Sequence, residues 1–274
     1  MWGAREFFNT DGLEHAKLFA ADEPVWTALE RLRPYLLSLF EDAWALRGIR
    51  GAINAPIAIH QGRVYREVEL TPGKAGTPVQ AVWRGQCLEG AAVVLPGAYL
   101  ADDQIILGSG TVVEPGAFVK GPSVIGAGCE VRQGAYVRGD CLVGNRCIVG
   151  HTTEVKASIM LDGAKAGHFA YIGDSILGRE VNLGAGTKLA NLRMLPGEIV
   201  ISAGRERFNT GLRKLGGILG DRTETGCNSV ISPGTLMGPR SIVYPGVVVP
   251  GGYYPSRTLV TPAKGSLTIL THER

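Results

Sequence analysis

The stretch LGSGTVVEPGAFVKGPSVIGAGCEVRQGAYVRGDCLVGNRCIVGHTTEVKASIML, from Leu107 to Leu161, decides the fold. Every sixth residue is aliphatic: Leu107, Val113, Val119, Ile125, Val131, Val137, Val143, Val149, Val155 and Leu161. Four residues further on the side chains are small: Thr111, Ala117, Ser123, Cys129, Ala135, Cys141, Cys147 and Thr153. Neither the helical period nor the alternation of an exposed strand produces two such registers together. A fixed six-residue period is the signature of a parallel β-helix. Each six is a short strand and a corner, with one aliphatic and one small residue pointing into the lumen and Gly or Asn supporting the turn. Three sixes make a triangular coil, so residues eighteen apart stack on rungs about 4.8 Å apart.

The register slips after Leu161. The next in-phase aliphatics are Ile172 and Leu177, eleven and then five residues on, before regular spacing resumes at Leu183 and Leu189. The short steps flank AGHFAYIGDSILG, residues 166–178. A local deletion in a repeat re-aims side chains, much as a bulge does, and this is where a site is expected.

Outward from this core, residues 1–50 differ in kind. DEPVWTALERLRPYLLSLF (22–40) offers Asp22 or Glu23 as a cap, Pro24 in the first turn and apolar residues at helical spacing. A helix is expected over about 24–45, with a shorter one over 11–20. Its apolar stripe lacks the Lys-rich polar face of a membrane-surface helix, so it should dock on the β-helix or a sister subunit. Residues 51–106 read as irregular strands and first coils, since terminal repeats are atypical. Residues 107–262 form the repeat region, interrupted at 191–217 by an excursion carrying Arg193, Arg205, Arg207, Arg213 and Lys214. The repeat returns with Leu219, Thr225, Ile231, Met237, Val243 and Val249, and 263–274 should cap the last coil. A loop leaving a rigid scaffold is a usual carrier of function; here a solvated basic flap is the plainer alternative.

Composition agrees. The 274 residues are 45% hydrophobic, enough for a sizeable core, and the 39 glycines sit at fixed phase, as corners require. A net charge of +3 gives no case for nucleic acid. Without a basic-then-apolar start or a long apolar run, neither a signal peptide nor a membrane span is expected, and a cytoplasmic location is the default. Cys129, Cys141 and Cys147 read as small buried hydrophobes. Cys129 and Cys147 would stack, so a disulfide between them is geometrically possible. No CxxC suggests zinc, and no metal is expected.

His168 lies in the slipped register, where the deletion should turn it outward, with Tyr171, Asn182 and Asn191 close behind. His151 repeats the Gly-His context one coil earlier. Arg138 and Lys156, eighteen apart, should stack on one face. Two adjacent cations repel unless an anion joins them, so a phosphate or carboxylate ligand is one reading. Solvent exposure beside Asp140 and Glu154 is the other.

KAGHFAYIGDSILGREVNLGAGTKLANLR (165–193) resembles the acetyltransferase half of bifunctional glucosamine-1-phosphate acetyltransferase/UDP-N-acetylglucosamine pyrophosphorylases. It is more similar still to the matching half of archaeal sugar-1-phosphate nucleotidylyltransferases, which also carry a long loop with an RKLG string. The resemblance spans about 107–262. It implies a left-handed parallel β-helix, all-β in class, assembled as a homotrimer with sites at subunit boundaries; the N-terminal α-helical extension is read from residues 1–50 and departs from the family. Handedness is taken from the resemblance, since parallel crossovers are usually right-handed.

The resemblance also implies roles. His168 matches the catalytic base, which takes a proton from the acceptor amine, and Asn191 matches a residue positioning the thioester or substrate. Arg138 and Lys156 match the holders of the sugar phosphate, although Arg132 fits the Arg-x-Gly-Ala string better. Tyr171, Asn182 and Lys214 match further substrate contacts. Ala185, Cys227 and Pro245 fall where small residues line a groove for the co-substrate acetyl-CoA, with Lys264 as the terminal basic contact. There are departures. Nothing resembles the pyrophosphorylase domain, so nucleotidylyl transfer is not expected. The family's NYDG turn is NLRM (191–194), and residues 197–200 replace lysines of the archaeal proteins. The function implied is acyl transfer from acyl-CoA, as N-acetyl transfer to an amino-sugar phosphate or nucleotide sugar. The alternatives are a carrier-protein donor or a non-catalytic trimeric scaffold. A metal-dependent hydratase would need three converging histidines, which the repeats do not offer.

Overall fold

The computed structural model describes residues 2–41, 44–73, 79–263 and 266–271. Three parallel sheets run along the chain's length, one on each side of a triangular coil. One coil shows the path: Ile148–His151 in the second sheet, Glu154–Lys156 in the first, Ser158–Met160 in the third, then back to the second at Lys165–His168. Val113 stacks under Val131, Val119 under Val137 and Ile125 under Val143, each eighteen residues on. The expected class holds: a left-handed parallel β-helix of hexapeptide repeats with an N-terminal helical extension.

The in-phase aliphatics form one continuous lumen core. Each such side chain taken out of water contributes roughly 1.5–3 kcal/mol. The small register is buried too, and its hydroxyls are satisfied by the next side of the coil, as where Thr153 Oγ1 donates to the Ala166 carbonyl at 3.1 Å. Cys129, Cys141 and Cys147 are buried and free. Burial pushes the Cys141 thiol up to about 12.

The phase needs one correction. Met160, not Leu161, is the lumen residue after Val155, so the core reads Val155, Met160, Ala166, Ile172, Leu177 and Leu183. The shortened sides are 154–158 and 171–175, because Cys141 pairs with Ser158 and Ile159 with Ile176, each seventeen residues on. Leu161 instead packs outward with the N-terminal segment.

That segment clasps the outer face of the third sheet. The helix spans Thr27–Ser38, shorter than expected, and a single 3-10 turn, Ala16–Leu18, replaces the second helix. After Ser38 the chain is drawn onto the β-helix, where Trp44 Nε1 donates to the Asp103 carbonyl at 2.6 Å and the Gly48 amide to its carboxylate at 2.7 Å. Leu32 and Leu36 pack with Val124, Leu142, Ile159 and Ile218. The apolar stripe therefore docks on its own β-helix.

Residues 51–91 are an antiparallel cap rather than early rungs. Ile57–His60 and Arg63–Tyr65 form a hairpin, and Glu69–Pro72, Val79–Trp83 and Gln86–Cys87 form a separate sheet. The excursion at 191–217 exposes its basic residues Arg193, Arg205, Arg207, Arg213 and Lys214, but it is not a loose loop. It folds into a hairpin, Val200–Ala203 with Glu206–Asn209, that buries Ile199 and Ile201. Trp2 joins it to the last coil, with ring centroids 4.7 Å from Phe208 and 5.0 Å from Tyr253. At the far end Thr258–Ala263 pairs antiparallel with Ser266–Thr271.

Candidate active site

Two corners of the triangle carry the candidate residues. At the first-to-third corner both shortened sides and the excursion lie on successive rungs, so polar side chains converge there. Lys156 Nζ donates to Asp174 Oδ2 at 2.8 Å, and Asn191 Nδ2 donates to the same oxygen. The Tyr171 hydroxyl donates to Asn191 Oδ1 at 3.4 Å. Gly173 leaves room for this network: a Cβ there would lie 2.6 Å from the Tyr171 hydroxyl oxygen and 2.9 Å from Asn191 Nδ2. Leu192 bridges to Lys214, and the Leu215 amide donates to the Asn191 carbonyl at 3.0 Å, so the neck of the excursion holds Asn191 in place.

Arg138 lies on the rung before Lys156, as the spacing required, but neither cation is bare. Arg138 pairs with Glu154 at 2.6 Å and Lys156 with Asp174 at 2.8 Å. Asp140 is taken by Arg33 at 2.7 Å. The repulsion that called for an external anion is relieved inside the chain. Arg132 lies on the second-sheet side and pairs with Glu130 at 2.7 Å. Only Arg138 adjoins Lys156.

The second-to-first corner carries His168. Its strand pairs His151 with His168 in register. A Cβ on Gly150 would run into the Gly167 carbonyl, so these two rungs approach closely. The His151 Nδ1 lies 2.9 Å from the Gln133 carbonyl, and its ring meets Phe169 edge-on at 5.2 Å. His168 is exposed, and no side-chain hydrogen bond engages its imidazole among the described residues. His168 lies on a full-length side, so its exposure comes from an ordinary corner rather than from the deletion.

His168, Ala185, Cys227 and Pro245 occupy one equivalent position on successive rungs. The carbonyls of His168, Ala185 and Cys227 accept from the amides of Gly186, Asn228 and Gly246 at 3.0, 2.8 and 2.8 Å. Beside this column lies a groove of about 430 Å³ lined by Thr225, Gly226, Tyr244, Pro245 and Leu259. Lys264 falls outside the described residues. Asn182 stands apart, on the second sheet between Lys165 and Glu224, and the side chain of Lys214 is exposed at the neck of the excursion.

Sequence reasoning missed Asp174 and Gly173. The step from Lys156 to the next rung is seventeen, not the eighteen that links Arg138 to Lys156, so Gly173 stacks on Lys156 and Asp174 follows it.

Comparison with known proteins bears on residues of this site. Residues 119–206 match a family model described as the GMPPB C-terminal domain. A bifunctional sugar-1-phosphate nucleotidylyltransferase/acetyltransferase of Sulfurisphaera tokodaii is 42% identical over 101 residues, 37% of this chain and 25% of that protein. The bifunctional protein GlmU of Methanocaldococcus jannaschii is 40% identical over 90 residues, 33% of this chain and 22% of that one. The chain thus spans about a quarter of the length of the curated relatives it matches. Its β-helix is similar to the C-terminal, acetyltransferase portion of such bifunctional proteins. Among solved structures, the UDP-N-acetylglucosamine acyltransferase of Francisella novicida aligns at 13% identity over 65% of this chain and 63% of that one, with a TM-score of 0.38. The Arabidopsis enzyme of that name aligns at 17% over 66% and 72%, with a TM-score of 0.39.

Proposed function

We propose that this chain is a sugar acyltransferase using acyl-CoA, and that its reaction is N-acetyl transfer to an amino-sugar phosphate or nucleotide sugar. The observation that carries the reading is the column of His168, Ala185, Cys227 and Pro245. It sets an exposed imidazole, in ring contact with Phe169 but without a side-chain hydrogen bond among the described residues, beside a run of small and uncharged corner residues, which suits a phosphopantetheine arm ending at a base. In the step itself, His168 accepts the proton of the acceptor amine as its nitrogen attacks the thioester carbonyl. The carbon–nitrogen bond forms, the carbon–sulfur bond breaks, and the protonated imidazole returns its proton to the departing thiolate.

Tyr171, Asn191 and Asp174 hold the acceptor side of the site, and Arg138 with Lys156 supplies cations for its phosphate. Because each cation already has a carboxylate, the phosphate must compete with Glu154 and Asp174. Selectivity for phosphate over a neutral sugar is therefore modest. In this reading the protein works as a homotrimer whose neighbouring subunits complete each site, with Asn182 facing a boundary. A molar mass near one chain by light scattering would remove that element.

The test is a thermal-shift titration with acetyl-CoA, alone and with glucosamine-1-phosphate. A ligand that binds only the native state raises the melting temperature by mass action. A shift with acetyl-CoA that grows with the sugar phosphate supports the reading. No shift with any CoA thioester overturns the choice of donor.

A further inference from the structure

The corner that carries His168 repeats one left-handed backbone position on successive rungs. Gly134, Thr152, Phe169, Gly186, Asn228 and Gly246 hold it, all with φ between 51° and 77°. Glycine takes that conformation at least cost, and a bulky side chain takes it rarely. Phe169 is the one aromatic residue with positive φ among the described residues. Burial does not offset the strain, because Phe169 is 54% exposed. A strained and exposed phenyl ring needs a local reason, and such outliers gather at functional sites.

The reason lies in what the ring touches. His168 has His151 in register on one neighbouring rung and the small Ala185 at the equivalent position on the other. The Phe169 ring meets both imidazoles, with centroids 5.2 Å from His151 at 79° and 6.5 Å from His168 at 39°. His151 is itself held, since its Nδ1 donates to the Gln133 carbonyl at 2.9 Å. Contacts therefore run from the Gln133 backbone through His151 and Phe169 to His168. They occupy the side of the imidazole away from the column of Ala185, Cys227 and Pro245, and the side facing Ala185 stays clear. His168 has no side-chain hydrogen bond of its own among the described residues, so packing is what limits its rotation. A base must lie within hydrogen-bond reach of the proton it takes, and a misplacement of about 1 Å costs about a hundredfold in rate.

We infer that Phe169 is a positioning residue: its ring, fixed by His151, fences the His168 imidazole toward the acyl thioester. The inference rests on the acyl-transfer function proposed for this chain. It also gives His151, which takes no part in the transfer step, the task of holding the ring. The left-handed backbone is the cost of setting a phenyl ring at that corner.

The test is steady-state kinetics of acetyl transfer from acetyl-CoA to glucosamine-1-phosphate, with melting temperatures, for the wild type, Phe169→Gly, Phe169→Tyr, His151→Ala and the double variant of His151→Ala with Phe169→Gly. Phe169→Gly should lower kcat about tenfold or more while KM for acetyl-CoA stays within about twofold. It should melt no lower than the wild type, because glycine relaxes the corner. Phe169→Tyr keeps the ring and should keep kcat within about twofold. His151→Ala should lower kcat in the wild type but not further in Phe169→Gly, since the two residues act through one contact. A wild type that turns over beside an equally active Phe169→Gly overturns this role alone, as do losses that multiply in the double variant. A Phe169→Gly that melts lower in step with its lost activity also overturns it, by showing a purely structural part for the ring. A wild type without acetyl transfer overturns the acyl-transfer reading, and this role with it.

Discussion

Replacing Asp174 by Asn keeps the shape of the first-to-third corner and removes one charge. The Lys156 and Asp174 side chains are 23% and 18% exposed and touch at 2.8 Å. Exposed pairs contribute about 0–1 kcal/mol, and removing one partner of a fully buried pair costs about 3–5 kcal/mol. This pair lies between those limits, so about 2 kcal/mol is expected for Asp174→Asn. The carboxamide oxygen still accepts from Asn191 Nδ2, so most of the loss should come from the pairing with Lys156. A double-mutant cycle with Lys156→Met isolates that part, and we expect a coupling of about 1–2 kcal/mol by urea unfolding with an unchanged m-value. A coupling below about 0.3 kcal/mol lies within ordinary additivity. It would refute the view that Asp174, rather than a bound anion, neutralises this corner.

Other perturbations follow from the same geometry. Gly173→Ala places a methyl against the Tyr171 hydroxyl and the Asn191 amide. It should cost about 1–3 kcal/mol, read as a lower unfolding midpoint, and an unchanged midpoint would show that the network yields freely. Trp2→Ala removes the ring that joins the N-terminal segment, the hairpin and the last coil, and should cost about 3–5 kcal/mol by denaturant unfolding. Burial pushes the Asp221 carboxyl above its ordinary value of 3.8. The native state therefore holds that proton to higher pH than the unfolded chain, and stability is lost as pH rises from the unfolded value to the raised folded one. The stability of the wild type relative to Asp221→Asn should fall across that window and level off above it; a difference independent of pH contradicts the assignment.

Much of the fold was written in the period. Leu107 to Val155 predicted each rung because a lumen admits one aliphatic per side, and nothing distant alters that constraint. Leu161 misled because Met160 and Leu161 are both apolar, and which one faces inward depends on a one-residue deletion. The Thr27–Ser38 helix was cut short by Trp44 and Gly48 bonding to Asp103, a contact between residues more than fifty apart that no local pattern signals. The excursion looked polar because its arginines outnumber the two isoleucines that bury it. At the candidate site, eighteen-residue arithmetic paired Arg138 with Lys156, but the shortened side makes the next step seventeen, which stacks Gly173 on Lys156 and sets Asp174 beside it. The column running from His168 to Pro245 could not be read from spacing, since the excursion stretches one of its intervals to forty-two residues.

The most direct measurement is thiol release from acetyl-CoA with glucosamine-1-phosphate as acceptor, with the N-acetyl product verified by mass, for the wild type and His168→Ala. Acceptor-dependent release by the wild type, reduced about a hundredfold or more in a variant of unchanged melting temperature, is the predicted result. Equal rates in the two folded proteins, or release that never depends on an amino-sugar acceptor, would contradict the account.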